Sequence, residues 1–331
     1  MTAVAFAFLP VLVFLALLLG MDSFKLVPAR AVLLAFAAGA AAALLSVYLQ
    51  PFAAAAGAGP RAIVRVVAPI TEETAKGLLI VGLIALRRVG FPVDAAIQGF
   101  AVGAGFALLE NVIYLGARPG APFALWIVRG FGTAILHGST TAVFAMIAQR
   151  ISARFGARSM RTYAPGLAVA VAMHAAFNSA VLPPFVEMLV LLATMPLVLL
   201  GVFEWSERAM REWIGSGLDL DVALLQLVTS ADFHGTHFAA YLQQLRDRFP
   251  GPVVADMLCL LRLQLELSAE AKGKLVARAA GLAVAPDDDT RAALEELRAL
   301  RASIGRTGLL ALEPLRVTSD RDHWHGHLVG R

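Results

Sequence analysis

Charge is scarce in this chain, and an internal disulfide is impossible. Asp, Glu, Lys and Arg make up 16% of the 331 residues, 59% are hydrophobic, and mean hydropathy is +0.73. A soluble domain has roughly 25% charge and about 45–50% apolar residues, so the composition describes an integral membrane protein. The single cysteine, Cys259, excludes a disulfide framework. In Met257-Leu258-Cys259-Leu260-Leu261 it reads as a small buried side chain. A net charge of +4 is no nucleic-acid signal, and no nucleic-acid partner is expected. The sequence also lacks internal repeats, a heptad run and a His-Glu-x-x-His motif. The apolar run Ala3–Gly20 has no positive n-region and no A-x-A-like cleavage site close behind it, so it reads as a retained helix.

Long apolar runs are what the chain does have. About 20 apolar residues cross a hydrocarbon core of ~30 Å. Seven such spans are expected: Ala3–Gly20, Ala29–Leu49, Ile63–Leu86, Val93–Leu115, Pro122–Ala148, Pro165–Leu182 and Phe185–Phe203. The third is the least apolar. Short connections carry turn residues, among them Pro51, Gly57, Gly59-Pro60, Gly90, Pro92, Pro119-Gly120 and Pro183-Pro184. With seven spans, Lys25, Arg30, Arg87, Arg88, Arg150, Arg154, Arg158 and Arg161 fall on one side, and Arg61 and Arg118 on the other. The positive-inside rule makes the rich side cytoplasmic, which puts the N-terminus outside and the C-terminus inside. A cell inner (plasma) membrane is the expected location.

The balance of charge changes near Phe203. Residues 1–203 carry 13 Lys and Arg against 6 Asp and Glu; residues 204–331 carry 15 against 18. The expected fold is all-α: a polytopic helix bundle of about seven spans over 1–203, then a small helical cytoplasmic domain over 204–331. Trp205–Ile214 reads as an amphipathic connector at the membrane surface. Helical patterns follow at Val222–Thr229, Phe238–Arg248, Pro252–Leu267, Ala269–Ala280 and Thr290–Ile304, the last entered through Asp287-Asp288-Asp289. His323, His325 and His327, like His234 and His237, read as surface histidines without a metal partner set.

Four polar motifs interrupt the apolar runs: Glu72-Glu73-x-x-Lys76, Phe106-x-x-x-Glu110-Asn111, His137 and His174-x-x-x-Asn178. An ionisable side chain in hydrocarbon costs ~2.5 kcal/mol or more, so four helices that bear one point to chemistry or transport. Lys76 shares a helix face with Glu72 and Glu73 and can neutralise one of them. The other carboxylate must then be protonated, pair elsewhere or bind a cation, which suits a general acid or base. Phe106 lies one turn from Glu110, placed to pack on its stem. Thr141 stands at i+4 from His137 and Asn178 at i+4 from His174, each a candidate to orient its imidazole. At ~1.5 Å per residue, Glu72, Glu73, His137 and His174 fall near mid-membrane, and Glu110 somewhat further out. One Glu and two His form a known zinc-ligand set, with a further Glu as base. Arg129 could pair with Glu110, bind a peptide carbonyl or snorkel outwards. Gly99-x-x-x-Gly103 could mark a homodimer, although packing between helices of one chain is the favoured reading.

Together these motifs resemble those of the PrsW-type intramembrane protease family, related to the membrane-embedded CAAX prenyl protease superfamily. The likeness covers about residues 60–182, in order and in spacing. It implies proteolysis within the lipid bilayer or beside it. Family members are described as site-1-type proteases of single-pass membrane substrates such as anti-sigma factors, and are called both metalloproteases and glutamic proteases. On this resemblance Glu73 is the water-activating base, supported by Glu72 and Lys76. Glu110, His137 and His174 hold zinc or, without metal, polarise water. Asn111 and Asn178 are supporting or oxyanion donors. A proton- or cation-coupled transporter using the same residues is the alternative, and a scaffold that acts through its tail is a third.

Overall fold

Prolines and glycines punctuate the chain where its helices begin and end. In the computed structural model, which describes residues 2–24, 26–229, 237–282 and 288–315, the helices are α1 Thr2–Met21, α2 Ala29–Ala55, α3 Pro60–Ala62, α4 Ala68–Ala85, α5 Pro92–Ala117, α6 Phe123–Ile127, α7 Ala134–Phe155, α8 Met160–Asn178, α9 Pro184–Thr229, α10 His237–Leu245, α11 Gly251–Ala279 and α12 Asp288–Ala311. No strand occurs among the described residues. Pro28, Pro122 and Pro183 precede α2, α6 and α9, and Pro60 and Pro92 open α3 and α5. There the missing N–H is not needed.

Two π-helical segments, Ile63–Val67 and Val128–Thr133, lead directly into α4 and α7. The first has a local cause. Pro69 has no N–H for the Arg65 carbonyl, and a proline ring crowds the preceding turn, so the helix widens there.

Among the described residues, five helical stretches are long and apolar enough to cross a membrane: α1, α2, α5, Phe123–Ser152 and α9. The other two expected spans coincide with α4 and α8. These are shorter and hold polar residues inside them, with Glu72, Glu73 and Lys76 in α4 and His174 and Asn178 in α8.

The chain divides into two compact units, Met1–Ser206 and Glu207–Arg331. In the first, α5 is buried on all sides from Pro92 to Ala107, as befits a helix that is apolar around its whole circumference. Glycines let its neighbours reach its backbone. A Cβ on Gly39 of α2 would lie 1.8 Å from the Val102 oxygen of α5, and one on Gly103 of α5 would lie 2.0 Å from the His137 oxygen of α7. Gly99 meets the Thr141 oxygen in the same way. Gly99 and Gly103 thus pack helix α5 against α7 within one chain.

In the second unit α10, α11 and α12 share an apolar core that includes Leu242, Leu245, Met257, Leu260 and Ile304. Two expected helices, Pro252–Leu267 and Ala269–Ala280, are one continuous α11. Between them Ser268 donates its hydroxyl to Asp221 instead of capping a helix. The connector Trp205–Ile214 is part of the unbroken α9. Cys259, expected to be buried, is exposed. Met257, Leu260 and Leu261 face the core, and the helical phase turns position 259 away from them. Asp287 and the histidines at 234, 323, 325 and 327 lie outside the described residues, as does the side chain of His237.

Candidate active site

Helix α4 supplies the centre of the site. The i, i+3 spacing puts Lys76 over Glu73, and Lys76 Nζ lies 2.6 Å from Glu73 Oε1 with both side chains buried. Two more donors reach that oxygen. Thr140 of α7 donates its hydroxyl at 3.2 Å, and His174 of α8 approaches through Nδ1 at 2.7 Å. One carboxylate oxygen therefore joins three helices.

The partners dictate the imidazole tautomers. An ammonium has donors only, and Lys76 Nζ stands 3.1 Å from His137 Nδ1, so Nδ1 is the acceptor and Nε2 carries the hydrogen. Nε2 donates to Glu110 Oε2 at 3.1 Å. On His174, Nδ1 faces the Glu73 carboxylate and carries the hydrogen, which leaves the lone pair on Nε2. That nitrogen lies 3.8 Å from Glu72 Oε2, too far for a hydrogen bond. The two rings meet edge to face, 4.9 Å between centroids.

Glu72, His137 and His174 each place one ligand atom within 4.8 Å of the others, and all three are buried. A carboxyl oxygen and an imidazole lone pair that face each other across 3.8 Å leave room for a cation. One carboxylate with two imidazoles is a donor set found in zinc hydrolases. The residues present therefore fit a metal ion. The expected set had Glu110 in the place that Glu72 takes here. Glu110 instead receives His137 Nε2 and lies 2.9 Å from Arg129 Nη2.

The remaining expected residues are placed as follows. Phe106 packs on His137, 4.8 Å between ring centroids, with Lys76 Nζ 4.9 Å from its ring. Asn111 accepts from Arg129 Nε at 2.8 Å and donates to the Ala7 oxygen at 2.7 Å. Asn178 donates to the Val64 oxygen of the first π-helical segment at 3.0 Å. Neither asparagine makes a hydrogen bond to the three gathered ligands. Thr141 bonds to the backbone oxygen of His137 at 3.0 Å, not to its ring. A helical threonine readily returns its hydroxyl to the carbonyl one turn back.

Sequence reasoning passed over Thr140 and Gln50, whose Nε2 lies 3.4 Å from Glu72 Oε1. Thr140 was visible in the polar run after His137. Its i+3 phase was the signal that it shares a face with that residue.

A family model described as PrsW family intramembrane metalloprotease matches residues 27–202, more than half of the chain and all four motifs. No curated protein and no solved structure gives a significant match.

Proposed function

Because the chain belongs to the PrsW family of intramembrane metalloproteases, we propose that it hydrolyses peptide bonds of single-pass membrane proteins within or beside the bilayer. The observation that carries this reading is the gathering of Glu72, His137 and His174, buried, with Glu73 beside them. These three residues hold the metal. Zinc is the proposed element, because two imidazoles and a carboxylate suit it. Bound there, it supplies Lewis-acid polarisation of water and of the scissile carbonyl.

The rest of the chemistry belongs to the protein. Glu73 takes the proton of the attacking water and returns it to the departing amine. Lys76, Thr140 and His174 hold its Oε1, so the carboxylate does not have to reorganise during reaction. Lys76 also compensates the buried negative charge. Asn178 fastens α8 to the segment that leads into α4, and Asn111 acts through Arg129.

All seven expected spans cross the bilayer in this reading, with Glu72, Glu73 and Lys76 of α4 and His174 of α8 buried inside the protein. The N-terminus is outside, the tail is cytoplasmic, and the membrane is the cell inner (plasma) membrane. Support comes from the lysines and arginines collected on one side of the spans. A homodimer gains no support from Gly99-x-x-x-Gly103, since both glycines meet α7.

The test is cleavage of a fluorescently labelled single-span peptide by the full-length protein in liposomes. Glu73→Gln is expected to keep about one zinc per chain while turnover falls ~10²–10⁴-fold. Proton flux without cleavage in the wild type would instead establish the transporter reading.

A further inference from the structure

We infer that Arg129 is a positioning residue for His137 and that it makes the geometry of the metal set depend on the N-terminal helix α1. That helix, Thr2–Met21, precedes the matched residues 27–202. The inference rests on the proposed metal reading for one of its two readouts; the other needs no metal.

Arg129 does not snorkel. Its residue is 7% exposed, and its Nε, its Nη2 and the face of its head each meet a group inside the protein. Nε donates to Asn111 Oδ1 at 2.8 Å. The guanidinium carbon lies over Tyr114, 3.6 Å from the ring centroid. Nη2 stands 2.9 Å from Glu110 Oε2, but without the direction of a hydrogen bond. It therefore holds that carboxylate by charge and leaves Oε2 directed at His137 Nε2, 3.1 Å away. A carboxylate on the N–H of a ligating histidine fixes both tautomer and ring orientation. Here it reserves the Nδ1 lone pair of His137, which Lys76 now faces.

The other end of the chain of contacts is α1. Asn111 donates to the Ala7 oxygen at 2.7 Å. Beside it, the backbone of the second π-helical segment rests on α1: a Cβ on Gly130 would lie 1.7 Å from the Phe6 oxygen. Successive α1 carbonyls thus meet Gly130, the chain neighbour of Arg129, and Asn111, its hydrogen-bond partner. From Ala7 through Asn111, Arg129 and Glu110 to His137, each contact is 3.1 Å or shorter. Glycine is required at 130 because that approach leaves no room for a side chain.

The experiment uses full-length protein in detergent with two readouts. One is zinc affinity, by competition with a chromophoric chelator. The other is the ¹⁵N shift of the His137 ring in metal-free protein, which reports its tautomer. Arg129→Gln and Asn111→Leu are expected to weaken zinc ~10–100-fold at unchanged stoichiometry and to mix the tautomers. Arg129→Lys does not rescue, since a lysine cannot reach Asn111 and Glu110 as a fork. Gly130→Val should act in the same direction by pushing α1 away. If it fails to fold, Asn111→Leu cuts the link to α1 without crowding. Glu110→Gln keeps an acceptor oxygen for Nε2–H and should retain the zinc stoichiometry, whereas His137→Ala loses it. Unchanged zinc affinity in Arg129→Gln overturns the inference. So does loss of zinc in Glu110→Gln as complete as in His137→Ala, which would make Glu110 a ligand. A wild type that binds no zinc defeats the metal reading alone. The NMR readout then decides: an Nε2–H tautomer lost in Arg129→Gln supports the positioning role, and an identical spectrum overturns it.

Discussion

Lys76 in the first unit and Lys272 in the second are both buried, and each lies 2.6 Å from a carboxylate. Their surroundings differ. Lys272 pairs with Asp221, Ser268 donates to the same oxygen, and Trp213 lies against the ammonium with its ring centroid 5.0 Å away. One cation and one anion balance, and a hydroxyl and a ring complete the cluster. Around Lys76 the balance fails. Glu72, Glu73 and Glu110 are gathered with the two fixed cations Lys76 and Arg129, together with His137 and His174. A surplus carboxylate inside a protein calls for a proton or a metal ion. A buried ion pair is therefore no sign of chemistry in itself; an unbalanced one, with imidazoles turned towards it, is.

Substitutions can break or sharpen this contrast. The largest effect is expected where the pair is replaced by apolar groups. In the first unit Glu73→Leu with Lys76→Met should lower peptide cleavage at least ~10²–10⁴-fold, the contribution of a general base, even if the protein stays folded. The matching double change in the second unit, Asp221→Leu with Lys272→Met, should leave stability nearly unchanged and zinc content intact.

Next in size is Lys272→Met alone, which leaves Asp221 buried without its cation. Hydrogen exchange in α11 should show a loss of ~3–5 kcal/mol, mostly restored by adding Asp221→Leu. Gly103→Ala comes third. Its Cβ would press on the His137 carbonyl, and overpacking of this kind costs about 1–3 kcal/mol. Thermal unfolding should register it along with weaker zinc binding. Gly116→Ala, where nothing lies within 4 Å of the added carbon, should change neither. Asn178→Ala removes one hydrogen bond to the Val64 oxygen and should cost ~1 kcal/mol, seen as faster exchange in the segment before α4. The smallest effect is expected at Cys259, where the exposed thiol should accept a maleimide in the folded protein and Cys259→Ser should stay within about ±0.5 kcal/mol.

Much of the site was legible in the sequence because charge in an apolar span has few innocent explanations. Glu72, Glu73, Lys76, Glu110, His137 and His174 all stood out, and all lie in one network that the Lys76–His137 contact joins. Their relative roles were less legible. Helical spacing within α4 places Lys76 near both glutamates but does not say which of them it holds. The lysine takes Glu73, and Glu72 is left for His174 and His137. Thr140 and Thr141 differ by one position, yet one bonds to Glu73 and the other to its own backbone. Cys259 misled because a short apolar run does not reveal which of its residues face outwards.

The membrane character, the helical class and the polar side chains that interrupt the spans were legible in the sequence alone, since hydropathy and the cost of buried charge are local properties of composition and spacing. Pairing was not. Glu110 meets Arg129, Arg129 meets Asn111, and Asn111 reaches Ala7 across 104 positions of chain. Those contacts depend on the rotation and depth of α1, α5 and the second π-helical segment against one another, to which close glycine contacts such as Gly130 on α1 contribute. Such rotations change partners without changing hydropathy or helical period, so only the tertiary structure could assign them.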